Sequence, residues 1–201
     1  LSGLTPVGAR ERALYEDVFA SIPVYGDHSP GEMHVRVFLD AIGVAPSEGK
    51  FLGLDVLDCG CGTGKGALAL AKAGFRVTLC DFVDGRVEEA KAHALPFRQI
   101  RTLWDDLRPL GYHDYTYCCD VLEHIPEALT MLVAHRLVAV ARQGAFVSVA
   151  TSSDTYGVWI GESLHKTVKH FTWWRDMFSE VAVVVDARDL LGYATFYLRQ
   201  R

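Results

Sequence analysis

Apolar residues along the 201-residue chain follow two rhythms, short unbroken runs suited to buried strands and three-to-four-residue spacings suited to helices. Val56 to Cys59, Phe75 to Cys80, Phe97 to Ile100, Tyr112 to Cys119, Ala145 to Ala150, Val181 to Val185 and Tyr193 to Leu198 read as strands. Between them, Gly64 to Ala73, Asp84 to His93, Pro126 to Ala141 and Thr172 to Ser179 read as helices. The third turns Leu129, Leu132, Val133, Leu137 and Val140 inward, and Gly74 and Gly144 close the first and third. Ahead of the first strand, Glu11 to Ala20 has helical spacing, with Leu14, Val18 and Phe19 on one side. A second helix is signalled by Ser29 as cap, Pro30 at the first helical position and Glu32 reaching back, and runs to about Ala41. This alternation predicts an α/β fold with a largely parallel sheet covered on both faces. No repeat, low-complexity tract or linker interrupts the chain, which reads as one domain over residues 1–201 with residues 1–49 as a helical cap.

Half of the residues are apolar, enough for one full core. No apolar run reaches the roughly 18 residues a membrane span needs, and Leu1 to Pro6 lack the blocks of a signal peptide; the expectation is a soluble, cytoplasmic protein with no membrane partner. The formal charge of −5 disfavours nucleic acid, although Lys166, Lys169 and Arg175 form a local basic patch. The five cysteines, Cys59, Cys61, Cys80, Cys118 and Cys119, include no C-x-x-C pair and sit in or beside predicted strands, so they read as buried filler.

The most informative segment is Val56 to Asp81. An apolar strand runs into Gly60, Gly62 and Gly64, then a helix, a second strand and a terminal carboxylate, Asp81, 17 residues past Gly64. That is a nucleoside-binding βαβ unit, with Asp81 placed to grip a ribose diol. Gly62 to Ala67 also satisfies the dinucleotide pattern G-x-G-x-x-A, but Asp58 lies near where a pyrophosphate would have to sit, and a carboxylate repels phosphate while holding an ammonium. S-adenosylmethionine carries an ammonium and a sulfonium and no phosphate. A Walker loop is excluded because Gly66 follows Lys65 where Ser or Thr is required.

With Asp58-x-Gly60-x-Gly62-x-Gly64, Asp81, and Asp120-Val121-Leu122-Glu123-His124-Ile125-Pro126 after the fourth strand, the chain resembles the class I S-adenosylmethionine-dependent methyltransferases over roughly residues 50 to 151. The resemblance implies a single-domain Rossmann-like fold, a mostly parallel seven-stranded sheet with an antiparallel last strand, S-adenosyl-L-methionine as cofactor, and methyl transfer by one in-line displacement. It leaves the acceptor open. Base-amino and cytosine-C5 methylation of DNA are disfavoured, because the chain has Asp-Val-Leu-Glu in place of the former's Pro-Pro tetrad and no Pro-Cys nucleophile. A small-molecule acceptor remains.

Ligands of such sheets bind beyond the carboxyl ends of the strands where strand order reverses. The cofactor-binding residues expected there are Asp58, Gly60, Cys61, Gly62, Gly64, Asp81, Phe82, Trp104, Asp105, Asp120 and Val121. Phe82 stacks beside adenine, Asp105 is favoured over Asp106 for its exocyclic amine, and Asp120 closes the methionine end. His124 and His165 are the expected general bases, His165 ahead of His170, since imidazole accepts a proton near neutral pH. Tyr25 and His28 are lid contacts, and Tyr156 and Trp159 acceptor contacts. Trp174, Phe171 and Phe178 form a buried stripe. No metal is assigned, although Asp120, Glu123 and His124 resemble a cation-binding cluster of some quinone-pathway and RNA-terminal methyltransferases, in which a glutamate stands where this chain has the shorter Asp120. The competing functions are a S-adenosylmethionine-binding module without catalysis, a metal-assisted RNA-terminal methyltransferase, and a nicotinamide oxidoreductase.

Overall fold

A computed structural model describes residues 5–27, 29–45, 52–84, 87, 90, 91 and 93–201. Its centre is a seven-stranded sheet in the order β3-β2-β1-β4-β5-β7-β6. The strands are β1 (Asp55–Cys59), β2 (Arg76–Asp81), β3 (Phe97–Gln99), β4 (His113–Cys119), β5 (Ala141–Ala150), β6 (Val183–Leu190) and β7 (Tyr193–Arg199). β1 pairs parallel with β2 and β4, β2 with β3, and β4 with β5. β7 inserts antiparallel between β5 and β6. Strand order therefore reverses between β1 and β4, the switch point at which a crevice opens.

Helices cover both faces. On one, α3 (Val35–Ile42) and α4 (Lys65–Lys72) bury Phe38, Leu39, Ala67 and Leu70 against Val56, Leu79, Tyr117 and Phe146. On the other, α5 (Glu127–Ala139) and α6 (Phe171–Val181) bury Val133, Leu137, Trp174 and Phe178 against Leu57, Cys118, Val147 and Phe196. The central strands β1, β4 and β5 are enclosed from both sides, which is why they read as continuous apolar runs, whereas the edge strands β3 and β6 stay partly exposed. The expected Trp174–Phe178 stripe is present, with Phe171 stacked on Phe196 at 5.5 Å between centroids. The cysteines are free and buried.

Three expected boundaries move. The helix read from Ser29 to Ala41 is two, α2 (Pro30–Met33) and α3, because His34 ends the first and caps the second. The third crossover helix stops at Ala139, and Gly144 lies within β5 where a Cβ would meet Leu198 O and the Tyr197 ring at 2.5 Å. This glycine answers a close approach of β7, so it did not mark a helix end. β6 runs to Leu190, past the expected Val185. The helix expected at Asp84 to His93 falls largely on residues 85, 86, 88, 89 and 92, outside the described residues, as does His28.

Candidate active site

The chain leaves β1 through Gly60, Gly62 and Gly64, whose φ values of 74°, 52° and 79° are left-handed and cheap only for glycine. A Cβ on Gly60 would lie 2.6 Å from Val121 Cγ2, so the loop also needs a bare backbone to pass β4's exit. Gly64 starts α4 and packs against Ala90 and Leu79, supporting the turn from behind without lining the cavity. The turn opens into a cavity of about 480 Å³, into which Asp58, Gly60, Cys61, Gly62, Asp81, Phe82, Trp104, Asp120, Val121, His124 and His165 all face.

Asp81 accepts from Gly62 N at 2.9 Å and from Val83 N at 3.1 Å. With the Phe82 N–H these bonds fix the carboxylate and still leave it able to accept from a ligand. Asp58 points to the start of α4 and accepts from Ala67 N–H, occupying the helix N-terminus that a pyrophosphate would need. Burial, and then the charge of Asp81, push Asp58 up to about 7. Burial also raises Asp81, against the pull of its backbone donors. Burial holds the Cys61 thiol protonated.

At the end of β4, Asp120 takes a φ of 60°, a strained value for a residue with a side chain. Its Oδ1 has no hydrogen-bond partner among the described residues. Glu123 stands behind the cavity wall, fully buried: Oε1 accepts from Ala150 N at 2.6 Å, its carboxyl also meets that of Asp120, Oε2 has no donor among the described residues, and its carbonyl accepts from Lys166 N and Thr167 N. It ties the β4 exit to the end of β5. Burial, then the negative charge of Asp120, push its carboxyl well above the usual range. Burial lowers His124 to about 4, so its imidazole is neutral near pH 7, and its Nδ1 lies 2.5 Å from Tyr15 Oη and 3.2 Å from Leu164 O. His165 donates from Nδ1 to Ser152 O at 2.6 Å, which leaves Nε2 as a proton acceptor, and its ring meets that of His124 edge-on at 4.7 Å. Ligand atoms of Glu123, His124 and His165 all lie within 4.8 Å of one another. Two imidazoles and a carboxylate with an orphaned oxygen form a donor set suited to a borderline divalent cation.

The roof comes from the N-terminal segment, most of which sequence reasoning missed. α1 (Pro6–Ser21) turns Glu11, Tyr15 and Phe19 toward the cavity. Their spacing of four places them on one helical face, a signal present in the sequence but masked by the polar members of the set. Tyr25, the expected lid contact, closes the cavity against Phe19 and Tyr156 at 5.3 and 5.4 Å between centroids. Lys65 Nζ donates to Gly26 O at 2.9 Å and Asp27 O at 2.8 Å, fastening that loop to α4.

Several expected residues stand elsewhere. Asp105 does not line the cavity; its carboxylate accepts from Thr102 Oγ1 at 2.9 Å, because the chain turns it back along its own loop. Trp159 is 72% exposed, and His170 caps α6 outside the cavity. The patch of Lys166, Lys169 and Arg175 is neutralised by Glu162, Glu127 and Asp176.

Residues 56–144 match the methyltransferase domain family. The ubiquinone biosynthesis O-methyltransferase of Vibrio vulnificus (strain YJ016) is 30% identical over 161 residues, covering 73% of this chain and 67% of that protein. This chain belongs to the class I S-adenosylmethionine-dependent methyltransferases. Its namesake in Rickettsia canadensis is 33% identical over 76 residues, covering 36% of this chain and 32% of the relative, so the methyltransferase chain spans between a third and two thirds of the length of such curated relatives. The fold matches the Burkholderia thailandensis 1,6-didemethyltoxoflavin-N1-methyltransferase bound to its substrate and S-adenosylhomocysteine, with TM-score 0.74, 16% identity, and coverage of 100% of this chain and 91% of that one. Magnesium protoporphyrin IX methyltransferase from Synechocystis, with bound S-adenosylhomocysteine, gives TM-score 0.67 at 20% identity, covering 96% and 98%. Among the described residues no helix is long and apolar enough to cross a membrane.

Proposed function

We propose that this methyltransferase binds S-adenosylmethionine in the cavity beyond β1 and β4 and passes its methyl group to a small molecule in one in-line displacement. The observation that carries this reading is the pairing of a left-handed glycine turn with two buried carboxylates, Asp58 and Asp81, in a cavity that no lysine or arginine lines among the described residues. In it, Asp81 takes the ribose diol, Asp58 and Asp120 face the cationic methionine end, and Phe82, Trp104 and Val121 wall the adenosine. Because the sulfonium is already activated, the protein acts mainly by alignment. His124, neutral and buried, and His165, with Nε2 free to accept, stand ready to take the proton of a hydroxyl or amine acceptor. A dinucleotide would have to place its phosphates on Asp58.

Calorimetric titration with S-adenosylhomocysteine and NAD tests the binding half, and preference for NAD refutes it. A labelled-methyl transfer screen tests catalysis; tight binding with no transfer to any small molecule favours a non-catalytic module.

A second reading concerns a divalent cation. The gathering of the Glu123 carboxyl and two imidazoles within 4.8 Å supports Glu123, His124 and His165 as its holders, and bound there the cation would supply Lewis-acid stabilisation of an ionised acceptor oxygen. Manganese or zinc should raise the melting temperature of the wild type and leave Glu123→Gln unmoved. An unchanged wild-type melt with metal and with EDTA sinks this reading.

A further inference from the structure

Five carboxylate residues line the cavity, Glu11, Asp58, Asp81, Asp120 and Asp154, and among the described residues no lysine or arginine does. The nearest cations make their hydrogen bonds outside it, Lys65 to Gly26 and Asp27 carbonyls, Arg12 to Ile100 O, and Lys166 to Glu162 and Ser163 O, although Lys166 and Arg10 still pull on Glu11 and Arg12 on Asp81. The carboxylates differ in what already holds them. Asp154 is saturated by Gly157 N, Ser163 Oγ, Leu164 N and His165 N, and serves to fold its own loop. Asp58 and Asp81 receive backbone donors at the glycine turn. Glu11 Oε2 and Asp120 Oδ1 have no hydrogen-bond partner among the described residues, and of these two Glu11, 5% exposed, is the one that hangs from the roof helix, one turn before Tyr15. A buried carboxylate left without donors is costly, and a ligand that brings one removes the cost. Around it the walls are aromatic, with Tyr15, Phe19, Tyr25, Phe82 and Tyr156 in tilted and edge-on contact.

We infer that Glu11 is the acceptor-recognising carboxylate of this cavity, and that the acceptor is an aromatic compound, neutral or cationic, whose N–H or O–H meets it. Acceptors carrying a phosphate or carboxylate are disfavoured, since they would enter a ring of carboxyl groups that no lysine or arginine lines among the described residues. Aromatic walls beside an acid also favour an amine, which gains both the ion pair and the ring faces. This rests on the methyltransferase reading and gives it a substrate class.

Three matched probes test it on the full chain saturated with S-adenosylhomocysteine: tyramine, 4-hydroxyphenethyl alcohol and 4-hydroxyphenylacetate. Calorimetry should rank amine over alcohol over acid, with at least roughly tenfold between the extremes. In Glu11→Gln the advantage of the amine over the acid should vanish while the affinity for S-adenosylhomocysteine stays within about twofold. The wild-type ranking needs no variant, so a Glu11→Gln chain that fails to fold does not shield the idea. Equal or tighter binding of the acid, binding of none of the three, or a ranking that survives in Glu11→Gln overturns it. Loss of S-adenosylhomocysteine affinity in a folded Glu11→Gln would assign Glu11 to the cofactor instead, which also overturns it. Failure of the wild type to bind S-adenosylhomocysteine at all is a different result and sinks the methyltransferase reading itself.

Discussion

If Asp58 receives the ammonium of the cofactor, binding must depend on pH in a calculable way. In the ligand-free chain, burial and the Asp81 charge raise its carboxyl from 3.8 to about 7, so near pH 6 it is mostly protonated. A cationic amino group requires the anion. Each molecule of S-adenosylhomocysteine bound below pH 7 should therefore displace one proton, and the association constant should rise roughly tenfold, or ~1.4 kcal/mol, between pH 5.5 and 6.5 before levelling above about 7. Calorimetry at pH 6 in two buffers of different ionisation enthalpy counts that proton directly. Adenosine, which lacks the amino acid, should show no such slope, nor should Asp58→Asn with S-adenosylhomocysteine. The sign for stability is the reverse. A carboxyl whose pKa is raised by folding contributes stability that is fully present below its unfolded value near 4 and is lost as pH climbs through about 7, so this group lowers the ligand-free melting temperature across that window. An association constant flat from pH 5.5 to 7.5 in the wild type, or an unchanged slope in Asp58→Asn, refutes the assignment.

Other substitutions separate residues that hold the fold from those that hold the ligand. Trp174→Ala empties a fully buried site between α6 and the sheet and should cost about 3–5 kcal/mol, read as a melting temperature lower by about 10 °C or more. Asp81→Asn should weaken S-adenosylhomocysteine binding by more than about tenfold, whereas Asp105→Ala, turned away onto Thr102, should change it by less than about threefold in the same titration. Lys65→Met removes two bonds to the loop over the cavity, and should speed ligand dissociation by roughly three- to tenfold, about 1 kcal/mol, with stopped-flow displacement as the check.

The parts of this molecule legible in its sequence are those where one residue answers one local demand. Glycines at Gly60, Gly62 and Gly64 are required by left-handed backbone, and Asp81 follows from the length of one βαβ unit. The sheet was equally readable, because enclosure on both faces leaves unbroken apolar runs at β1, β4 and β5. What escaped depends on contacts between distant segments. Gly144 resembles a helix stop until β7 is laid beside it. The inward side of α1 is legible only in part: Val18 is buried with Leu14 and Phe19 packed beside it as the spacing predicts, but the same side faces a ligand space, so Glu11 and Tyr15 are buried there too. Position alone favours Asp105 over Asp106, and a hydroxyl three residues earlier turns its carboxylate back along the loop. His165 was reachable as a histidine beyond β5, yet its closeness to His124 arises only when Glu123 draws both loops together.

The N-terminal helix is anchored at two separated places, by Arg10 on Glu162 beyond β5 and by Arg12 on the Ile100 carbonyl beyond β3. It thus bridges the crevice from bank to bank, and whatever occupies the floor must pass under it to leave. On the proposed function, swapping spent cofactor for fresh becomes an unlatching event whose pace is set by a few surface bonds, so release of S-adenosylhomocysteine should quicken in concentrated salt, which weakens the exposed Arg10–Glu162 pair.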